Sequence, residues 1–105
     1  MFLYFPNSTE WSAIAKDQKQ DACIKVLGAG IYNATLEDVC KFNGGVKERL
    51  LAMYNEAGCK MIIPQKTVER IAADVLLDTK RRYKAMGHQA FCEGNIDAYN
   101  ALQEE

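Results

Sequence analysis

From Gln65 to Met86 apolar side chains return every three or four positions, in the longest such run of the chain. With Lys80 set at 0° and each residue advanced by about 100°, Val68, Ile71, Ala72, Val75, Leu76, Thr79, Tyr83 and Met86 fall between about 180° and 320°. That stripe predicts a helix over 65–86 with one side on a core, closed by Gly87 as the residue past its end. Shorter patterns flank it. "FPNSTEW" reads as a helix start: Asn7 caps, Glu10 completes a capping box, and Pro6 and Trp11 stand at staple positions. This first helix is expected to run to about Leu27 and to stop at Gly28-Ala29-Gly30, with Trp11, Ile14, Ala15, Ala22 and Val26 on one face. Thr35 is placed to cap a second helix, with Asp38 at its third position. Asn43-Gly44-Gly45 then breaks the chain, and "VKERLLAMYNEA" forms a further helix ending at Gly58.

Met61–Pro64 reads as a short extended link, and Gly94-Asn95 as a break between two short helical pieces, "HQAFCE" and "IDAYNALQ". The fold class is all-α: a compact single-domain bundle of five or six helices over residues 1–105, with a short extended N-terminal arm at Phe2–Phe5. The arm is expected to lie on the core, a homodimer contact being its other use. The expected core includes Trp11, Ile14, Leu50, Met53, Val68, Ile71, Val75, Tyr83 and Phe91.

Composition supports a folded domain, since 49% of the residues are hydrophobic and only two are proline. A chain of 105 residues buries a real core in one unit. The four cysteines stand 17, 19 and 33 positions apart, with no Cys-x-x-Cys pair to hold zinc or a redox dithiol. They are expected to be reduced and mostly buried. The opening "MFLYFPNS" lacks the basic residues and the length of a leader or a membrane span. The expected compartment is the cytoplasm, with no membrane partner.

Charge changes the picture more. The formal net charge is −1, which excludes a globally basic nucleic-acid coat. Yet residues 58–85 hold seven basic and three acidic groups, and residues 86–105 hold four acidic groups with no Lys or Arg. On the predicted long helix Lys66, Arg70, Lys80, Arg81 and Lys84 share the sector from about 0° to 100°, opposite the core stripe. No acidic residue lies within it, and Leu77 sits among the cations with no core to face. These six are the candidate partner-binding residues, against the plainer reading of a solvated helix face. Arg82 borders the apolar stripe and is spaced to pair with Asp78; Arg70 and Asp74 have the same spacing.

Catalytic chemistry has no foothold. The one histidine, His88, follows the long helix and is expected at a helix start or on the surface, not as a general base. No nucleophile motif is present, and "VLGAGIYN" lacks the third glycine and the preceding strand of a phosphate-binding loop. No acidic cluster has calcium spacing. The chain is read as a non-enzyme without metal or cofactor. "TLEDVCKFNGGVKERLLAMYN" has the outline of a helix-turn-helix with Lys47 and Arg49 on its second helix, but Asn43 stands where such motifs carry an apolar residue.

In "GHQAFCEGNIDAYNAL", Gly87, Ala90, Phe91 and Gly94 fall where a tetratricopeptide repeat has them. The next alanine comes one residue early, at Ala98, and a solenoid needs about three copies where this chain has one. The stretch "CEGNIDAYNAL" resembles the C-termini of small accessory proteins of temperate bacteriophages, over about a fifth of the chain. That resemblance implies a small domain that inhibits or modulates a host protein or nucleoprotein complex, in the host cytoplasm, as anti-CRISPR and other anti-defence proteins do. It carries no site residues. The alternative function is a helix-turn-helix transcriptional regulator that binds DNA directly, the less favoured partner.

Overall fold

One helix carries the chain straight through the glycines that the sequence marks as a stop. The computed structural model describes residues 16–103, in five helices and no strand: α1 (Lys16–Cys40), α2 (Val46–Glu56), α3 (Cys59–Ile62), α4 (Gln65–Met86) and α5 (His88–Gln103). The all-α expectation holds. The expected Asn7 cap, the Phe2–Phe5 arm, Trp11 and Ile14 lie outside the described residues.

Helix α1 replaces two expected helices, and packing is the reason. A Cβ on Gly28 would lie 4.0 Å from Val75 Cγ2, and one on Gly30 would lie 3.7 Å from Leu50 Cβ. The two glycines therefore sit where α4 and α2 cross α1, and contact on both sides outweighs a helix-propensity cost of about 1 kcal/mol each. Thr35 is no cap; its hydroxyl donates back to the Ile31 carbonyl at 3.0 Å, inside the helix. Asn33 is buried and satisfied the same way, donating to the Ala29 carbonyl at 2.7 Å.

The chain leaves α1 through Lys41 (φ 61) and enters α2 through Gly45 (φ 75). Gly45 has no side chain to cap α2, and Glu37 of α1 supplies the acceptor, taking the Lys47 N–H at 3.1 Å. The same carboxylate oxygen accepts the Tyr99 hydroxyl at 2.8 Å, and that hydroxyl accepts the Gly44 N–H at 2.7 Å. An anion at a helix N-terminus is favourable, and here it also ties the turn to α5. Arg49 completes the join, donating to the carbonyls of Leu102 and Gln103 at 2.7 and 3.0 Å.

The expected extended link at Met61–Pro64 is corrected. Cys59–Ile62 winds into a helical turn, and only Ile63 (φ −104, ψ 116) and Pro64 (φ −61, ψ 149) are extended before α4. The expected break in α5 is also corrected. Asn95 donates to the Phe91 carbonyl at 2.7 Å within the helix, and its side-chain oxygen accepts the Tyr32 hydroxyl. A residue of turn-forming type is thereby fixed as a helix–helix contact.

Cys23, Val26, Leu36, Val46, Leu50, Ile63, Phe91 and Tyr99 form the buried centre, with Met53, Val68 and Tyr83 partly buried against it. Ile71 and Val75 are half-buried. Two members of the expected stripe are not core: Leu76 is 50% and Met86 48% exposed. Helix α4 is an edge helix, packed on α1 and α5, and Thr79 is its one fully buried residue.

The cysteines are not reduced. Cys23 pairs with Cys59 and Cys40 with Cys92, each with Cα atoms 5.6 Å apart, within the span a disulfide bridges. Burial was read correctly for Cys23 and Cys59, but burial does not oppose pairing when helices bring two thiols together. Disulfides persist in oxidising compartments and are rare in the cytosol. The cytoplasmic expectation, which rested in part on free thiols, loses that footing. No described helix is long and apolar enough to cross a membrane.

Candidate partner-binding face

Helix α4 has the bounds that its punctuation sets. Pro64, at φ −61 and ψ 149, precedes its first turn, and Gly87, at φ 85, takes a conformation that L side chains rarely adopt. Between them the hydrophobic stripe turns toward α1 and α5, which fixes the opposite side outward. Lys66, Arg70, Leu77, Lys80, Arg81 and Lys84 are all exposed, so the structure brings the six together on one side of one helix. From Lys66 to Lys84 the strip is about 27 Å long at the helical rise.

Its electrostatics are open. The ion pairs among the described residues are Lys25–Asp21 and Arg82–Asp78, each at 3.1 Å, and neither includes a cation of the strip. Arg70 and Asp74 have the spacing of a pair but do not form one within 4 Å. Arg82 behaves as its position on the wheel predicts. It borders the buried side, pairs with Asp78, and lays its guanidinium 5.0 Å from the centre of the Tyr32 ring. Arg82 thus helps hold α4 on α1, while its neighbours Lys80, Arg81 and Lys84 face outward.

Leu77 is half exposed within the strip, and Leu76 beside it is too. Sequence reasoning missed Leu76 as a surface residue because the wheel placed it at the margin of the core stripe. Among the described residues no helix covers that margin, and Leu76 is left 50% exposed. Leu77 gives the cationic strip an apolar centre, the mixture that protein interfaces use for anchoring and register, and Leu76 lies about 100° round the helix from it.

His88 opens α5, exposed, with Nδ1 2.9 Å from the Tyr83 hydroxyl. In the helix-turn-helix outline, Thr35–Cys40 are the last turns of the 25-residue α1, and Arg49 is engaged with the end of α5. Among the described residues no group of three or more His, Cys, Asp or Glu is placed to hold a metal ion. No family model matches the chain, and no curated protein or solved structure matches it either.

Proposed function

We propose that this chain is a non-catalytic protein-binding domain that engages an acidic surface of a partner through the outer side of α4, inhibiting or modulating that partner. The observation that carries the reading is the strip: five cations, none with a carboxylate of the described residues within 4 Å, around half-exposed Leu77. Exposed lysines and arginines on a helix are ordinary, but here Glu69 and Asp74 flank the strip without closing an ion pair on any of its five cations. A partner's carboxylates would pair with these open cations, and Leu77 supplies the apolar contact that surface ion pairs lack. The resemblance to phage accessory proteins is compatible with this behaviour. The two bridges favour a partner met in an oxidising compartment over a cytoplasmic defence complex.

The test compares the chain with its Arg70→Glu/Arg81→Glu variant in capture from extracts of the source cells. Both positions are exposed, so each change alters stability by no more than about 0.5 kcal/mol. Opposing a like charge at an interface costs several kcal/mol. A partner held by the parent and lost by the variant, with melting unchanged, is the expected result. Equal capture by both returns the strip to a solvated face. Duplex DNA titrated at two salt concentrations separates the regulator reading, which requires tight binding that collapses as salt rises.

A further inference from the structure

The two bridges differ in what surrounds them. Cys23 and Cys59 are each 0% exposed, whereas Cys40 and Cys92 are only partly buried. Thiol–disulfide exchange requires a thiolate to reach a sulfur, so burial decides which bridge can react while the chain is folded. A bridge reached only through unfolding reacts more slowly by the folded-to-unfolded ratio, on the order of 10³ or more for a stable domain.

The fold is also equipped to survive loss of the outer bridge. Helix α5 has other ties to α1 and α2. Tyr99, 2% exposed, joins Glu37 and Gly44; Arg49 holds the carbonyls of Leu102 and Gln103; Tyr32 donates to Asn95. Apart from the Tyr32–Asn95 bond, these ties act on the C-terminal half of α5. Its first two turns instead carry the end of α4. Tyr83 packs edge-on against Phe91, with ring centres 5.4 Å apart, and its hydroxyl lies 2.9 Å from His88 Nδ1. Cys92 directly follows Phe91, so the Cys40–Cys92 bridge fixes the surface on which that end of α4 rests. Gln65 starts α4 six positions after Cys59, and Met86 ends it six positions before Cys92. Both bridges lead to α1, one at each end of α4.

We propose that Cys40–Cys92 is a redox-sensitive catch for α4, which a low-molecular-weight thiol opens in the folded protein while Cys23–Cys59 stays closed. A thiolate attacks one sulfur of the bridge, forming a mixed disulfide and releasing the other cysteine as a thiolate. A second thiolate then attacks the reductant's sulfur in that mixed disulfide and releases the remaining cysteine. The reductant leaves as its own disulfide, and the two protons it gave up end on Cys40 and Cys92. Opening the catch keeps Lys66 and Arg70 on the fastened end of α4 and loosens the end that bears Lys80, Arg81 and Lys84. This consequence for binding rests on α4 being the partner-binding helix; the order of reduction does not.

The intact chain, incubated with dithiothreitol in the absence of denaturant, is quenched with iodoacetamide at intervals and mapped by mass spectrometry. Cys40 and Cys92 should be alkylated at an initial rate at least about a hundredfold above that of Cys23 and Cys59. Equal rates, the reverse order, or no reduction until denaturant is added would overturn the proposal. In the Cys40→Ser/Cys92→Ser variant, amide resonances should shift or broaden from Lys80 to Asn95 and beside position 40. They should hold their places from Gln65 to Ile71 and through α2. Changes that stop short of α4 would overturn the coupling, and a variant that does not fold would overturn the catch, since its open state must remain native. Neither readout needs a partner, so a parent chain that captures nothing sinks the binding reading and leaves the catch standing.

Discussion

Replacing Gly28 and Gly30 by alanine should stabilise the protein, singly and together. Both lie inside α1, where glycine costs about 1 kcal/mol relative to alanine through the backbone freedom it loses on folding. The gain is realised only where there is room. The added Cβ would stand 4.0 Å from Val75 Cγ2 at position 28 and 3.7 Å from Leu50 Cβ at position 30, both ordinary van der Waals contacts. Neither glycine has a positive φ that alanine would strain. Each variant should therefore gain about 1 kcal/mol, and the pair about 2 kcal/mol if the sites do not couple. In a domain of this size that raises the melting temperature by about 4–8 °C per substitution. Urea denaturation followed by circular dichroism should show a higher midpoint at constant slope. The opposite sign would refute the reasoning. Had the chain turned at these glycines, alanine would strain the turn, and the loss would show that α1 does not pass through them.

Two further perturbations probe the joints between helices. Tyr99→Phe should cost about 1–3 kcal/mol at neutral pH, because the Gly44 N–H and the Glu37 carboxylate lose a buried partner. Its pH signature is specific: burial, and then the bond to Glu37, raise the Tyr99 pKa above the ordinary 10.0. The folded state therefore holds that proton more tightly than the unfolded chain. This contribution is complete below pH 10 and is lost as the pH rises through the folded value, so the variant should lose stability less steeply above pH 10. Parallel alkaline slopes in the two proteins would contradict this. Reducing the bridges, which close separations of 36 and 52 residues, should each remove about 4 kcal/mol on the chain-entropy account, with the two not additive. Loss of both approaches the whole stability of a small domain, so the thermal transition should fall sharply or vanish in reductant. An unchanged transition would restore the reading of a protein built for a reducing cytoplasm.

The parts of the fold legible in the sequence are those where local and tertiary preferences agree. Helix α4 has its expected bounds because Pro64 and Gly87 act locally, through a fixed φ and a positive one, and nothing packed over them reverses the choice. Its outward strip is legible for the same reason. Helices α1 and α5 depart from the sequence reading where Gly28, Gly30 and Asn95 carry weak local signals for ending a helix and Thr35 one for starting it. Each is overruled by a contact with a residue distant in the chain or by a bond within its own helix. The disulfides were illegible because spacing along the chain does not report which helices meet. The packing of α2 on α1 shares that cause, since the sequence had divided α1 in two although it read α2 as one helix.

The order of the bridges has a consequence for a chain exposed to proteases. Cys23 joins Cys59 while Cys40 joins Cys92, so the two closed loops interlace instead of nesting or following one another. Every peptide bond between Cys23 and Cys92 is spanned by at least one bridge. A single cut at a turn, whether after Lys41, at Gly58 or beside Gly87, would release no fragment. The nicked molecule would differ from the intact one by one water, keep its helices joined, and fall into two pieces only when thiols are supplied. In this protein, persistence after cleavage is a property of how the chain is threaded through its own cross-links.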